Sequence, residues 1–331
     1  MQAKVRFTQE ADFRQERDFG AKVGATFEFV VAQFRPLMKC LLYFVLPGAL
    51  LAGMGLGLFM SNFLAIMPQL NGQNAGGRLA AGYPDNMFTA TSFVGLGLAT
   101  LGFMAAFVLL SSTVYAFVRV RMGTPPAEVV QPAQVWAFVW RRLGRVVRAG
   151  LVLGVVVGGG FLLLMAFLAA MWPGLVVLVF FPLVWAGICL TLFYPIIWME
   201  DDGIVPALRR SFYLIKGKWW STVGLYMVMS IITGILNYVF IIPFYGLLVV
   251  RTMLKVPGFD SEILSVGAMS IYALGWVFTA VLPLVAMLFQ YFNLVERKDG
   301  VGLSLLVNSL GQTAAPQASN RTYQPDEEGE Y

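Results

Sequence analysis

The chain has 331 residues, of which 58% are hydrophobic and only 12% charged, with a formal net charge of +5. That apolar surface exceeds what one soluble core buries, so the composition excludes a soluble globular protein and requires several membrane spans. Histidine is absent, which removes the commonest general base and metal ligand; the basic residues flank apolar segments, so phospholipid head groups, and no nucleic acid, are the expected counter-charge.

Residues 1–21 are polar, include Arg14, Glu16, Arg17 and Asp18, and hold no short apolar run with a cleavage site. They are expected to form a cytoplasmic arm without a signal peptide. Residues 22–38 are amphipathic: on a helix, Phe27, Val30, Val31, Phe34, Leu37 and Met38 share one face, opposite Glu28, Arg35 and Lys39. A helix lying in the membrane surface and ending near Pro36 fits that pattern. The first span is expected over 40–67, longer than the ~20 residues that cross the hydrocarbon, with Gly53, Gly55 and Gly57 marking a close helix contact. Residues 68–86, rich in Gly, Asn and Pro, read as a loop carrying Arg78. The second span, over 88–118, closes on Arg119 and Arg121.

A second amphipathic stretch over 133–145 sets Val135, Trp136, Val139, Trp140 and Leu143 against Arg141, Arg145 and, just beyond it, Arg148. Spans over 146–170 and 175–199 then form a hairpin with a tight turn at 171–174. The third amphipathic stretch, 203–217, opposes Ile204, Leu208, Ser211, Phe212 and Ile215 to Arg209, Arg210, Tyr213 and Lys216. A fifth span over 221–242 is bounded by Pro243, residues 244–262 read as an exterior surface segment, and a sixth span covers 262–291. Residues 311–331 are polar and acidic-ended and are expected to be disordered.

If the N-terminus lies inside, six spans place 20 of the 23 Lys and Arg residues on the cytoplasmic side, leaving Arg78, Arg251 and Lys255 outside. The expected fold is therefore an all-α membrane protein over 22–310, with six transmembrane helices arranged as three units of interfacial amphipathic helix plus transmembrane hairpin. Both termini are cytoplasmic in this arrangement. In each unit a residue that loosens a helix, Pro36, Gly144 or Gly217, stands where the surface helix bends into its span.

Glu200, Asp201 and Asp202 are the acidic cluster nearest the membrane. Asp202-Gly203 opens like the CDP-alcohol phosphotransferase signature Asp-Gly-x-x-Ala-Arg, but Ala207 is displaced by one position and the further aspartates are missing. These acids are expected to start the third surface helix, where carboxylates meet unpaired N–H groups. The span interiors lack ionisable side chains, which argues against ion-coupled transport. Cys40 and Cys189 read as small apolar core residues. Gly154 and Gly158 have the spacing of a close helix crossing, within the chain or with another copy or partner.

Glu200-Asp201-Asp202-Gly203 leading into Ala207-Leu208-Arg209-Arg210-Ser211-Phe212, then Gly217-Lys218-Trp219-Trp220, resembles the middle of the YciC-like bacterial membrane proteins and the related glycerophosphodiester phosphodiesterase membrane domain. The patch from Tyr291 through Asn293 and Glu296 to Gly300 is similar to their closing signature, with Asn293 where an acidic residue often stands. The resemblance covers roughly residues 19–310 and implies a six-span protein of the bacterial inner membrane with no established chemistry.

No catalytic residue, metal site or cofactor is expected. The expected function is structural or accessory: binding anionic phospholipid through Arg35 and Lys39, through Arg141, Arg145 and Arg148, and through Arg209, Arg210 and Lys216. The alternative is a permease-like path for a lipid or amphipathic molecule, lined by Asn62, Thr191 and Asn237.

Overall fold

The computed structural model describes residues 7–8, 10–70, 89–125, 127–171, 176–254, 256, 258–259, 261–301 and 304, and all regular structure among them is helical. The expected loop beyond residue 70, with Arg78, the turn after residue 171 and the tail over 311–331 lie outside the described residues.

A short helix α1 (Glu10–Phe13) precedes α2 (Phe19–Ala32). Helix α2 starts at Asp18, whose carboxylate accepts from the Ala21 amide at 2.6 Å and satisfies one of the donors that a helix start leaves unpaired. It stops at Gln33, and α3 (Phe34–Phe44) follows at once. The break thus falls ahead of Pro36. The proline sits in the first turn of α3, where its missing N–H removes no intrahelical bond.

Helix α4 (Leu46–Leu70) runs between α5 (Ala90–Gly123) and α12 (Glu262–Thr279) on a seam of small residues. A Cβ at Gly55 would overlap the backbone of Ala99, and one at Gly102 the backbone of Ala52; on the opposite side Gly53 and Gly57 face the backbones of Ser270 and Val266. Between apolar spans there is no hydrophobic drive, so close backbone approach supplies the dispersion that holds them.

Helix α6 (Pro132–Leu153) opens on a capping box between Gln131 and Gln134 and passes unbroken through Gly144, where the sequence pattern places a bend. The irregularity comes later, in a π-helical stretch, Gly154–Gly159, before α7 (Gly160–Met171). One glycine costs a helix only ~1 kcal/mol. Gly154, Gly158, Gly159 and Gly160 together weaken it more, and a Cβ at any of the four would meet open space.

Helices α8 (Val176–Leu190), α9 (Phe193–Met199) and α10 (Ile204–Ile215) lead to a turn at Gly217, whose φ of +83° suits glycine. Helix α11 (Trp219–Val249) continues past Pro243, its expected end, into a π-helical stretch, Val250–Leu254. In an apolar span neighbouring groups compensate the bond a proline removes. The segment read as a surface element over 244–262 is therefore largely a continuation of this helix. Helices α12 and α13 (Val281–Asp299) meet at Ala280, and α13 ends at Gly300 in the left-handed conformation of a C-cap.

Five stretches among the described residues are long and apolar enough to cross a membrane: Leu46–Leu64, Ala90–Gly123, Phe181–Met199, Trp219–Leu254 and Glu262–Asp299. The span read over 146–170 is divided among the end of α6, the π-helical stretch and α7, and is not one of the five. Large apolar side chains on α7 and α11, such as Leu163, Phe167, Ile235 and Tyr238, are exposed, as lipid-facing residues are.

Many of the largest fully buried side chains gather where α5, α9 and α13 meet α2. Phe29, Phe117, Trp198, Phe289, Tyr291 and Phe292 are all buried there. The N-terminal arm joins this core instead of standing free. Phe7 and Phe13 are buried against Phe29 and Phe289, with ring centroids 5.5–6.3 Å apart. The Arg17 amide donates to Asn293 Oδ1 at 2.8 Å, and its guanidinium lies 5.1 Å from the Phe289 ring centre.

Candidate functional site

Most of the charge gathers at this same end of the bundle. An open groove of about 1310 Å³ lies between the α2–α3 junction and the connector joining α5 to α6. Arg35 and Lys39 line it beside the exposed side chains of Val31, Phe34 and Val129, and Arg121 donates to the Glu128 carbonyl at 2.6 Å in its wall. The groove exceeds the ~1,000 Å³ upper range of small-molecule pockets. Its chemistry is a largely apolar surface that carries the exposed cations of Arg35 and Lys39, with Arg121 and the carboxylate of Glu128 also in the lining.

The acidic cluster does not start α10. That helix is capped by Gly203 with no side-chain hydrogen bond, and Glu200 and Asp201 serve as counter-ions for arginines of other turns and helices. Glu200 accepts from the Tyr291 hydroxyl at 2.9 Å and from Arg210 Nε at 3.0 Å, and Arg210 also pairs with Asp299. Burial alone would lower the Arg210 pKa, but Asp299 and Glu200 outweigh it and raise it. Asp201 pairs with Arg119 at 2.8 Å and with Arg142. These contacts tie α5, α6, α10 and α13 to the α9–α10 turn.

The basic residues expected at head groups divide accordingly. Arg35 and Lys39 line the groove; Arg141, Arg148, Arg209 and Lys216 are exposed. Arg145 and Arg210 are drawn toward Asp201 and Glu200. Asn62, Thr191 and Asn237 do not line the groove. Asn62 and Thr191 bond back to carbonyls of their own turns, those of Leu58 and Ile188, at 3.0 and 2.7 Å. Among the described residues, no three His, Cys, Asp or Glu side chains gather as a metal site requires.

A buried polar network lies under α2. Lys22, only 2% exposed, donates from Nζ to Gln290 Oε1 at 2.7 Å, and Gln290 Nε2 donates to Thr222 Oγ1 at 2.8 Å. Burial, reinforced by Arg297 and Lys218 and opposed by Asp18, pushes the Lys22 amine down to about 8. In the unfolded chain a lysine titrates near ~10.4. Between the two values the unfolded chain binds more protons, so the unfolding free energy should rise with pH across that window. Lys22→Met should flatten this rise in unfolding curves taken from pH 7 to 10.5; an identical slope in the variant would refute it. Sequence pattern marks Lys22 only as the start of an amphipathic stretch, because its partners come from residues about 200 and 268 positions away.

Among the described residues, fold and site together define the class: all-helical, with five stretches suited to crossing a membrane and a basic, arginine-laced end. No family model, no curated protein and no solved structure matches it.

Proposed function

We propose that this protein is a non-enzymatic component of the bacterial inner membrane that holds anionic phospholipid at its basic end, in a structural or accessory role. The observation that carries this reading is the groove, where Arg35 and Lys39 stand beside exposed Val31, Phe34 and Val129. Cations against head groups and apolar side chains against acyl chains are what a phospholipid offers to match. The exposed Arg141, Arg148, Arg209 and Lys216 extend the same attraction, each contributing ~1 kcal/mol near an anionic surface. In this reading the chain crosses six times, residues 146–170 included, with both termini cytoplasmic and three basic amphipathic helices on that face. The YciC-like resemblance belongs to the same proposal.

Neutralising both groove charges, Arg35→Gln with Lys39→Gln, removes two such contributions. Retention of phosphatidylglycerol or cardiolipin by the purified protein should fall roughly 30-fold, read by native mass spectrometry. Equal retention by the variant would overturn the lipid reading. A reporter fused after Leu310 that proved exterior would overturn the topology.

A further inference from the structure

Three guanidinium groups converge on one carboxylate at the α9–α10 turn. Arg119 Nη2 donates to Asp201 Oδ2 at 2.8 Å, Arg142 Nη1 pairs with Oδ1, and Arg145 Nη1 lies 3.9 Å from Oδ1. Glu200 next door is engaged by Arg210 and Tyr291. Even with Asp202 counted, three cations face two carboxylates, an excess that an anion would neutralise.

Each arginine has an anchor besides Asp201's carboxylate, so the cluster is preorganised. Arg119 Nη1 donates to the carbonyls of Trp198 and Met199 at 2.6 and 2.8 Å. The Arg142 guanidinium lies over the Phe138 ring, 4.4 Å from its centre, and Arg145 Nη1 reaches the Asp201 carbonyl at 3.4 Å. Their side chains are 32%, 20% and 46% exposed, held but reachable. Asp201 itself has a φ of +60°, a left-handed conformation uncommon for a residue with a side chain. Strained residues of this kind collect at ligand sites and switches.

We propose that Arg119, Arg142 and Arg145 form a phosphate-binding site, with Asp201 as an internal competitor that occupies the arginines while no phosphate is bound. A carboxylate presents two oxygens to three guanidinium forks. A phosphate presents more acceptors in a geometry those forks match. The ligand is the phosphate of a lipid head group or a free phosphate. The site shares no residue with the groove that carries the lipid reading, so the two stand or fall separately.

The test uses the full chain in neutral maltoside micelles, titrated at constant ionic strength with inorganic phosphate or with short-chain phosphatidic acid, and follows the ligand-dependent rise in unfolding midpoint. A saturable rise is expected. Saturation by inorganic phosphate identifies a free-phosphate site; saturation by phosphatidic acid alone identifies a lipid head group. Arg142→Gln should weaken binding by about tenfold, and Asp201→Asn should tighten it by about tenfold because the competitor loses its charge. If Arg142→Gln does not fold, Arg119→Lys, which keeps the charge but loses the fork, should still weaken binding. No saturable rise with either ligand, undiminished binding in the arginine variant that folds, or no tightening in Asp201→Asn would overturn the proposal.

Discussion

Replacing Phe13 by alanine should destabilise the protein by about 3–5 kcal/mol, the range for emptying a fully buried phenyl site. The ring is 1% exposed and touches Phe29, Phe289 and Phe292 at centroid separations of 5.8, 6.1 and 6.1 Å. Its backbone is also held, because the Phe13 carbonyl accepts from Arg17 Nη1 at 2.9 Å. Truncation therefore leaves a void among rings that cannot all move inward. Equilibrium unfolding in mixed micelles reads the loss, with Phe34→Ala as the control: that ring is 54% exposed and its removal should cost no more than ~0.5 kcal/mol. Equal losses for the two would refute the docking of the arm. Loss of Phe13 should also open the bonds after Arg14 and Arg17 to trypsin, since both guanidinium groups lie over rings of the same cluster.

Glu200→Leu should cost about 1–4 kcal/mol. Most of this comes from the Tyr291 hydroxyl, which donates to Glu200 at 2.9 Å from a side chain only 1% exposed and would lose its acceptor, a penalty of ~1–3 kcal/mol. The ion pair with Arg210 adds no more than ~1 kcal/mol, because both partners are nearly a quarter exposed and Asp299 remains for the arginine. Tyr291→Phe in the Glu200→Leu background separates the two contributions. The double variant should regain most of the hydroxyl's share in the same unfolding assay. No recovery would place the loss elsewhere.

Hydropathy made the five long apolar stretches legible, and helical phase marked a helix within 203–217 with Ser211 and Ile215 on its buried face, because both depend only on neighbours within a few turns. Ala207, Ser211, Leu214 and Ile215 are the buried face of α10, while Arg209, Tyr213 and Lys216 point outward. The arm was not legible. Phe7 and Phe13 are two isolated aromatics among charges, without helical period, and their partners stand near residue 290. The role of Asp201 was hidden for the same reason: 82 residues separate it from Arg119, and spacing along the chain carries no trace of that pairing. The helix through Gly144 and Pro243 shows a different limit. Breaker residues mark local cost: one glycine, at ~1 kcal/mol, is too small a cost to end α6, and neighbouring groups in an apolar span compensate the bond that Pro243 removes from α11.

The bond between the Arg17 amide and Asn293 spans 276 residues, and it sets a timetable. During synthesis the beginning of the chain emerges long before α13 exists, so Phe7 and Phe13 have no Phe289 to stack on. Through most of translation these aromatics must wait, solvated or shielded by another protein, while the apolar helices enter the membrane. Docking of the arm is thus a late event, and it reports that the carboxyl-terminal helices have arrived. A nascent chain arrested before residue 289 should leave Arg14 and Arg17 open to protease, and one extended well past Gly300 should protect them.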